Sequence, residues 1–556
     1  MKAFFKLAIA FIAMAIIFSS CGKRNEQGKM IPKSAVFVAE INTKSLGEKL
    51  PWEEVKQTGW YKKIYSDIST PEWRKKILDN PGASGIDFDK GLIFFADKSA
   101  GNNYYIVVEG TLKNDKDFEQ FNKNFDPNQP LRKEGDINLI TLKDKTIAGW
   151  DSKHFAYVMN SATASSEMYS WKDSSKSQIN TTPEDNSVAQ SAFCAKLFSL
   201  KSDSSLAKNE KFGNLLKENG DLHFWQNSEE IMNNSNSMGM FGMLKLDVFF
   251  KNNISTYTVN FDKGKIDVDQ KGYVSKELMD VLKKYKGDKI NTDMIKNIPS
   301  QNVIGVLAMN FKPEGILELI KLSGTDGFIN TFTQKMGFNL DDFVKANNGD
   351  LLLSLSDFKM KSDTSTKAGF RLPDFNFLFS TGVGDKASLQ KLIDAGKKIS
   401  SQMGKDSMVN YAMNDKTFAI SNSGTFANQY LAGNNNKYDF TNKISGHPIG
   451  LFIDIHKILS ELSTRKTNNT DEKAMMDQSL KTWNNIFMTG GDFKNNAFTA
   501  NTEINLVDQN TNSLKQLNNY MDEMYKLVEA KKARNTNEKR LDSLLTPPPI
   551  DTVKVK

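Results

Sequence analysis

Cys21 is the residue whose neighbours most clearly set up chemistry. It follows Ser19-Ser20, precedes Gly22, and closes an unbroken apolar run over residues 7–18. Lys2 and Lys6 put positive charge ahead of that run, the arrangement of a leader whose lysines stay behind while its apolar part enters a translocon. A permanent membrane span takes roughly twenty apolar residues, so this run reads as a leader that is removed.

The other spacings that could carry chemistry each lack a required part. Gly382-Val383-Gly384-Asp385-Lys386-Ala387 has the G-x-G-x-x-A spacing with which a backbone cradles a pyrophosphate. That chemistry also needs a parallel βαβ unit and an acidic residue ending the next strand. The next expected strand, 408–413, runs into Asn414, so the glycines read as a turn. Asp267, Asp269 and Gly272 stand at the first, third and sixth positions of a calcium loop. Lys271 then occupies a ligand position and Leu278 replaces the bidentate glutamate, so a hairpin strand is expected. His154, His223, His447 and His456 show no metal-ligand spacing. Neither a G-x-S-x-G elbow nor a G-x-x-x-x-G-K-[ST] phosphate loop occurs.

The carboxylate pairs Glu53-Glu54, Glu229-Glu230 and Asp341-Asp342 fall at expected helix starts, where they complement the helix dipole. Cys194 lies in the apolar stretch Ala192-Phe193-Cys194-Ala195-Lys196-Leu197 and reads as a buried thiol. The Met238, Met240, Phe241 and Met243 cluster could grip an apolar partner but reads as core. No catalytic, cofactor-binding or metal-ligating residue is assigned, and the chain is expected not to be an enzyme.

Composition narrows the classes further. Of 556 residues, 73 are Lys or Arg and 66 Asp or Glu, a formal charge of +7. Losing Lys2 and Lys6 leaves +5. Arginine, the residue suited to bidentate phosphate and base-edge contacts, occurs seven times, and no basic stripe with interleaved aromatics is present. Nucleic-acid binding is therefore not expected. Removal of residues 1–20 leaves 536 residues, more than one core organises.

Stepping along the chain, an ordered internal repeat emerges. Residues 31–44, opening Ile31-Pro32 and passing through a strand to Asn42-Thr43-Lys44, correspond to residues 298–312, opening Ile298-Pro299 and ending Asn310-Phe311-Lys312. The Gly85-Ile86-Asp87-Phe88-Asp89 turn corresponds to Gly337-Phe338-Asn339-Leu340-Asp341. Each is followed by a strand pair and a helix. Residues 143–148 match 413–419, and 222–225 match 451–454. Each half ends in two strands and a helix, 245–285 and 485–525. A hairpin at Asp262-Lys263-Gly264 points to antiparallel pairing. The fold class expected is α+β, with two tandem homologous halves, 31–290 and 296–527, each a mainly antiparallel sheet packed with helices.

Residues 1–20 are the leader and 21–30 a basic tether. Polar stretches at 161–186, 233–237, 361–367, 434–436 and 465–472 are expected to be surface loops. The region 52–80 should be a helix pair, with Thr70 capping the second helix and Pro71 at its first position. Residues 514–545 should form a helix with the apolar stripe Leu514, Leu517, Met521, Met524 and Leu527. Residues 528–556 make its polar end and a Pro-rich disordered tail.

The Ser19-Ser20-Cys21 ending resembles a lipobox. With the Ile31-Pro32 strand opening, the Ser84-Gly85-Ile86-Asp87 turn and the duplicated halves, nearly the whole mature chain resembles a Bacteroidota lipoprotein family catalogued as domain of unknown function 4836. The resemblance implies cleavage before Cys21, acylation of its thiol and new amine with fatty acids such as palmitate, and a cell-envelope location. It supplies no catalytic residues. With Cys21 acylated, Cys194 has no disulfide partner in the chain. The tether lacks the acidic run common after the cysteine of surface-exported lipoproteins, which points to the outer membrane facing the periplasm. The expected task is non-enzymatic binding of a protein or glycan partner. A carrier of lipid or another apolar ligand, and a cryptic envelope hydrolase, are the alternatives.

Overall fold

The computed structural model describes residues 28–66, 71–98, 104–125, 127–160, 187–233, 246–362, 371–402, 410–464 and 470–545. The leader, Cys21, most of the tether, the 161–186 loop, the Met238–Met243 cluster and the tail after residue 545 lie outside these residues. The described strands are β1 (Phe37–Ile41), β2 (Leu92–Lys98), β3 (Tyr104–Thr111), β4 (Arg132–Glu134), β5 (Ile137–Thr141), β6 (Ile147–Trp150), β7 (His154–Asn160), β8 (Leu222–Asn227) and β9 (Ile254–Asp262). They continue as β10 (Lys265–Tyr273), β11 (Val303–Asn310), β12 (Asn347–Ser362), β13 (Arg371–Val383), β14 (Asn410–Met413), β15 (Thr417–Ser421), β16 (Ile449–Asp454), β17 (Trp483–Lys494) and β18 (Ala497–Leu506).

Turn residues decide where these strands reverse. Between β9 and β10 the reversal is Lys263-Gly264, with Gly264 at φ +68°, a left-handed conformation that glycine adopts without strain. Between β17 and β18 it is Asn495-Asn496, at φ +50° and +57°, which asparagine tolerates better than most residues. The matched segments at 143–148 and 413–419 are also hairpin turns of one design. Asp144 Oδ1 accepts the Thr146 N–H at 3.1 Å, and Asn414 Oδ1 accepts the Lys416 and Thr417 N–H groups at 2.9 and 2.8 Å.

All pairings are antiparallel, and they join the 18 strands in one sheet. Across it the order is β4-β5-β6-β7-β3-β2-β1-β8-β9-β10-β18-β17-β16-β11-β12-β13-β15-β14. The α+β class holds. Where the sequence suggests a separate sheet for each half, β10 and β18 pair edge to edge from Lys265↔Asn505 to Gly272↔Phe498. An unpaired edge exposes a row of backbone donors and acceptors, and each of these two strands covers the other's. The outer ends of the sheet are short: β4 has three residues, Arg132-Lys133-Glu134, all exposed, and β14 has four, of which Asn410 and Tyr411 are exposed.

Residues paired across strands share a face. One face carries two apolar clusters. The first gathers Val38, Ile93, Val107, Ala156 and Trp225 beneath the helix Ser187–Phe198 and segments 30–35 and 206–216. The second gathers Ala308, Leu352, Phe452 and Phe487 beneath residues 290–298 and 426–444. The opposite face is covered by helices from 43–79, by Asp115–Phe125, by Leu340–Ala346 and Lys386–Gln402, and by the C-terminal helix Ser513–Leu545.

Several expected details differ. The helix after residue 70 is Glu72–Asp79, with Pro71 one position earlier than expected, in the capping position and without a side-chain cap bond, while Thr70 lies outside the described residues. Asn42 does cap its helix, accepting the Ser45 N–H at 3.1 Å. Its counterpart Asn310 instead bonds Asp350, and the helix Pro313–Leu322 starts on a proline, which needs no N–H partner at that position. Leu514 and Leu517 pack against the Trp52–Phe261 cluster, but Met521 is 61 % exposed. Met524 and Leu527 are again half-buried, and Asp522 beside Met521 is buried where it accepts the Gly59 N–H, so the covered side of the helix departs from the apolar stripe at Met521.

Candidate functional site

Among the described residues an open cleft of about 490 Å³ lies at the edge of the second apolar cluster. Its volume suits a ligand of roughly 300–1,000 Å³ sites. Its floor is an aromatic column. Tyr438 stacks on Phe440 at 5.1 Å between centroids, Phe440 on Phe452 at 4.3 Å, and Phe452 lies 5.4 Å from Phe487. Such stacking adds to the burial energy of the rings and makes the floor rigid. The register places Phe452 opposite Phe487 on β16 and β17, while Tyr438 and Phe440 come from the loop before the short helix Thr441–Ile444. The Tyr438 hydroxyl reaches the Ile298 and Ser300 carbonyls at 2.8 and 2.7 Å, which fixes that loop.

The walls are polar. Lys443 Nζ stands 4.8 Å over the Phe487 ring, a cation–π position, and 3.6 Å from Glu503. Lys457 Nζ lies 3.4 Å from both Asp454 and the Val303 carbonyl. Asn505 donates to Asn485 Oδ1 at 3.0 Å, and Gln301 donates to Asn436 Oδ1 at 2.6 Å. Lys437, Asp439, Asn484 and Gln509 complete the lining. Amides, ammonium groups and carboxylates thus surround an aromatic floor, a set that offers both donors and acceptors to a hydroxyl-rich ligand.

A second cluster of titratable groups is buried in the first half of the sheet. The register runs Ala156–Glu109–Ile93–Glu40–His223–Thr258 across six strands. His223 Nδ1 lies 2.6 Å from Glu40 Oε2, with both side chains under 5 % exposed. Its Nε2 lies 3.2 Å from the Glu218 carbonyl. A carbonyl only accepts, so Nε2 carries a hydrogen, and one further proton sits in the Nδ1–Oε2 contact. Glu109 is buried with Oε2 unpartnered, and desolvation pushes its carboxyl up to about 8. Continuing from Thr258 through Asp269, Asn501 and Thr489, the same row reads Gly450, Ala308, Leu352 and Ser380.

The other singled-out residues take structural places. β13 runs antiparallel to both neighbours, β12 and β15, so the Gly382–Ala387 segment is no dinucleotide loop. Gly384 donates to the Ala346 carbonyl at 3.1 Å, and Asp385 Oδ2 accepts the Ser388 N–H at 2.7 Å, capping the next helix. Asp267 and Asp269 lie on β10, where Asn501 donates to them at 2.6 and 3.0 Å. Glu53-Glu54, Glu229-Glu230 and Asp341-Asp342 occupy first helical turns. Cys194 is fully buried, and desolvation pushes its thiol far above the reactive range.

His447 Nδ1 lies 2.5 Å from Asp492 Oδ2. Burial pulls Asp492 upward, but bonds from His447 and Lys286 outweigh it and hold the carboxyl below its usual value. His154 faces Asp151 at 3.4 Å, and His456 sits in the first turn of Ile455–Ser463. Among the described residues, no group of three His, Cys, Asp or Glu could hold a metal, and no helix is long and apolar enough to cross a membrane.

The cleft went unseen in the sequence because its lining comes from five separated segments, 301–303, 437–443, 452–457, 484–487 and 505–509. Two of them overlap segments matched as repeats, 298–312 and 451–454, but nothing in the sequence marks them as parts of one cleft.

Sheet, helical layers and cleft define an α+β protein with a polar ligand-sized cleft on a single antiparallel sheet. The chain belongs to the family described as a domain of unknown function (DUF4836), whose model matches residues 28–445. Comparison with curated proteins and with solved structures found no match.

Proposed function

We propose that this chain is an exported, lipid-anchored cell-envelope protein that binds a short glycan segment in the cleft and does not transform it. The observation that carries the binding reading is the cleft itself, with amides and charged groups ringed above a rigid aromatic column. Amides and charged groups together suit N-acetylated sugars, which present hydrogen-bond donors and acceptors, while the buried rings beneath hold that lining rigid. A carrier of apolar ligands would want an apolar lining, whereas three lysines and two aspartates line this one. The anchor reading rests on Lys2, Lys6, the apolar run and Ser19-Ser20-Cys21-Gly22. Two or three acyl chains would hold the protein stably on the bilayer, and the tether without an acidic run favours the periplasmic side of the outer membrane.

A tandem duplication, 31–290 and 296–527, is part of the same reading. It is supported by the matching pairing orders β3-β2-β1-β8-β9-β10 and β13-β12-β11-β16-β17-β18. The last strands of the two series meet antiparallel, as a two-fold relation between the halves requires.

Two measurements test the proposal. Mass spectrometry of the native protein should find a mature chain starting at an acylated Cys21. An unmodified thiol there, or the leader still attached, would sink the anchor. Calorimetric titration with short N-acetylhexosamine oligosaccharides should show saturable binding without product release. Lys437→Ala with Asn484→Ala should weaken it about tenfold, a loss of about 1.4 kcal/mol. Absence of binding, or binding untouched by those changes, would remove the glycan reading, and released product would remove the non-enzymatic one.

A further inference from the structure

Gly28 is fastened firmly to the fold. The Ile31 N–H bonds to its carbonyl at 3.3 Å, the Leu206 N–H to the Ile31 carbonyl at 2.8 Å, and the Lys33 N–H to the Ser204 carbonyl at 3.0 Å. Met30 and Ile31 pack with Leu206 and Phe212 in the first apolar cluster. Seven peptide steps separate Cys21 from Gly28. A chain spans at most about 3.6 Å per residue, so whatever holds Cys21 lies within about 25 Å of this point.

The segments bonded together at this point carry an excess of lysine. Lys29, Lys33, Lys201 and Lys208 are exposed there, and Lys211 is half-buried. Their acidic neighbours are Asp203, which pairs with Lys208 at 2.6 Å, and Glu210. Lys23 and Arg24, against Glu26, extend the excess toward Cys21. The corresponding segment ahead of β11 is held in another way. Asn434 and Asn436 donate to the Asn297 and Ile298 carbonyls at 2.9 and 2.8 Å, and Tyr438 donates to Ile298 as well.

Resting on the lipid anchor proposed above, we infer that the surface around Gly28, Lys33, Lys201 and Lys208 lies against the bilayer and docks on anionic phospholipid headgroups. Chain length brings the bilayer to this face, and charge sets its preference, since clustered lysines beside an anchor are drawn to an anionic surface within a Debye length. The first half would then sit next to the membrane. The cleft, on the second half, would be held away from it.

The test uses the mature chain with Cys21→Ser, made without residues 1–20, so that no acyl chain contributes. Flotation with vesicles of phosphatidylethanolamine and phosphatidylglycerol should show binding at least about tenfold tighter than with phosphatidylcholine vesicles, falling as salt rises. Lys33→Glu, Lys201→Glu and Lys208→Glu together should abolish the difference, while Lys386→Glu, on the other half, should leave it unchanged. Equal binding to both vesicle types, or equal sensitivity to Lys386→Glu, overturns the inference. An unmodified Cys21 in the native protein would instead remove the anchor, and the vesicle result reads separately from it.

Discussion

Glu109, Glu40 and His223 set the clearest expectations at the scale of single residues. Burial raises the Glu109 carboxyl from 4.5 to about 8. Below pH 4.5 it is protonated in the folded and unfolded chain alike. Between 4.5 and about 8 the folded protein keeps a proton that the unfolded chain has released, so each pH unit upward removes about 1.4 kcal/mol of stability. Above that range the slope vanishes. Glu109→Gln should flatten this dependence and raise stability at neutral pH, read from urea midpoints across the range.

The Glu40–His223 pair occupies row positions taken by Ala308 and Gly450 in the second half. Removing one partner leaves the other buried and unpaired, a cost of about 3–5 kcal/mol. Glu40→Ala or His223→Gly alone should therefore destabilise strongly. The double substitution should cost less than the sum, since the second half of the sheet packs without the pair. Additive losses in a double-mutant cycle would contradict this. None of this pairing was legible in the sequence. Glu40 and His223 are 183 positions apart, and no local signal links them, whereas Cys194 in its apolar run could be read directly as a buried thiol.

Turns and caps are the elements that local sequence determined best. Lys263-Gly264, Asp144 and Asn414 do what their residue types dictate within two or three positions. Asn339 and Asp342 form a reciprocal cap that the sequence suggested only as dipole-matching acids. The glycine pair at 382 and 384 looked like a cofactor loop by spacing alone, and its strand direction, a nonlocal property, settles the matter. A Cβ at Gly384 would collide with the Lys345 carbonyl. Gly384→Ala is accordingly expected to destabilise by about 1–3 kcal/mol, measured by thermal unfolding. A neutral outcome would mean that the glycine serves something other than close packing. Met521 shows the opposite failure, since helical spacing marks an apolar side but not which of its residues meet a partner.

The joining of all strands into one sheet emerges only in the whole molecule. β10 and β18 are far apart in sequence, and their pairing rests on backbone groups that every residue shares, so composition could not announce it. Val268 lies mid-joint, opposite Val259 and Thr502. Val268→Pro removes a ladder donor there at a cost of about 3 kcal/mol or more. Calorimetry should then resolve two unfolding transitions, and a single cooperative one would argue against halves that can come apart. The same joint has a consequence for life at high density. With β10 and β18 occupied by each other, the end strands of the described sheet are three charged residues at one extremity and four residues at the other. At those two extremities neighbouring copies find little backbone to zip onto, and the long borders of β10 and β18 are finished off by the chain itself.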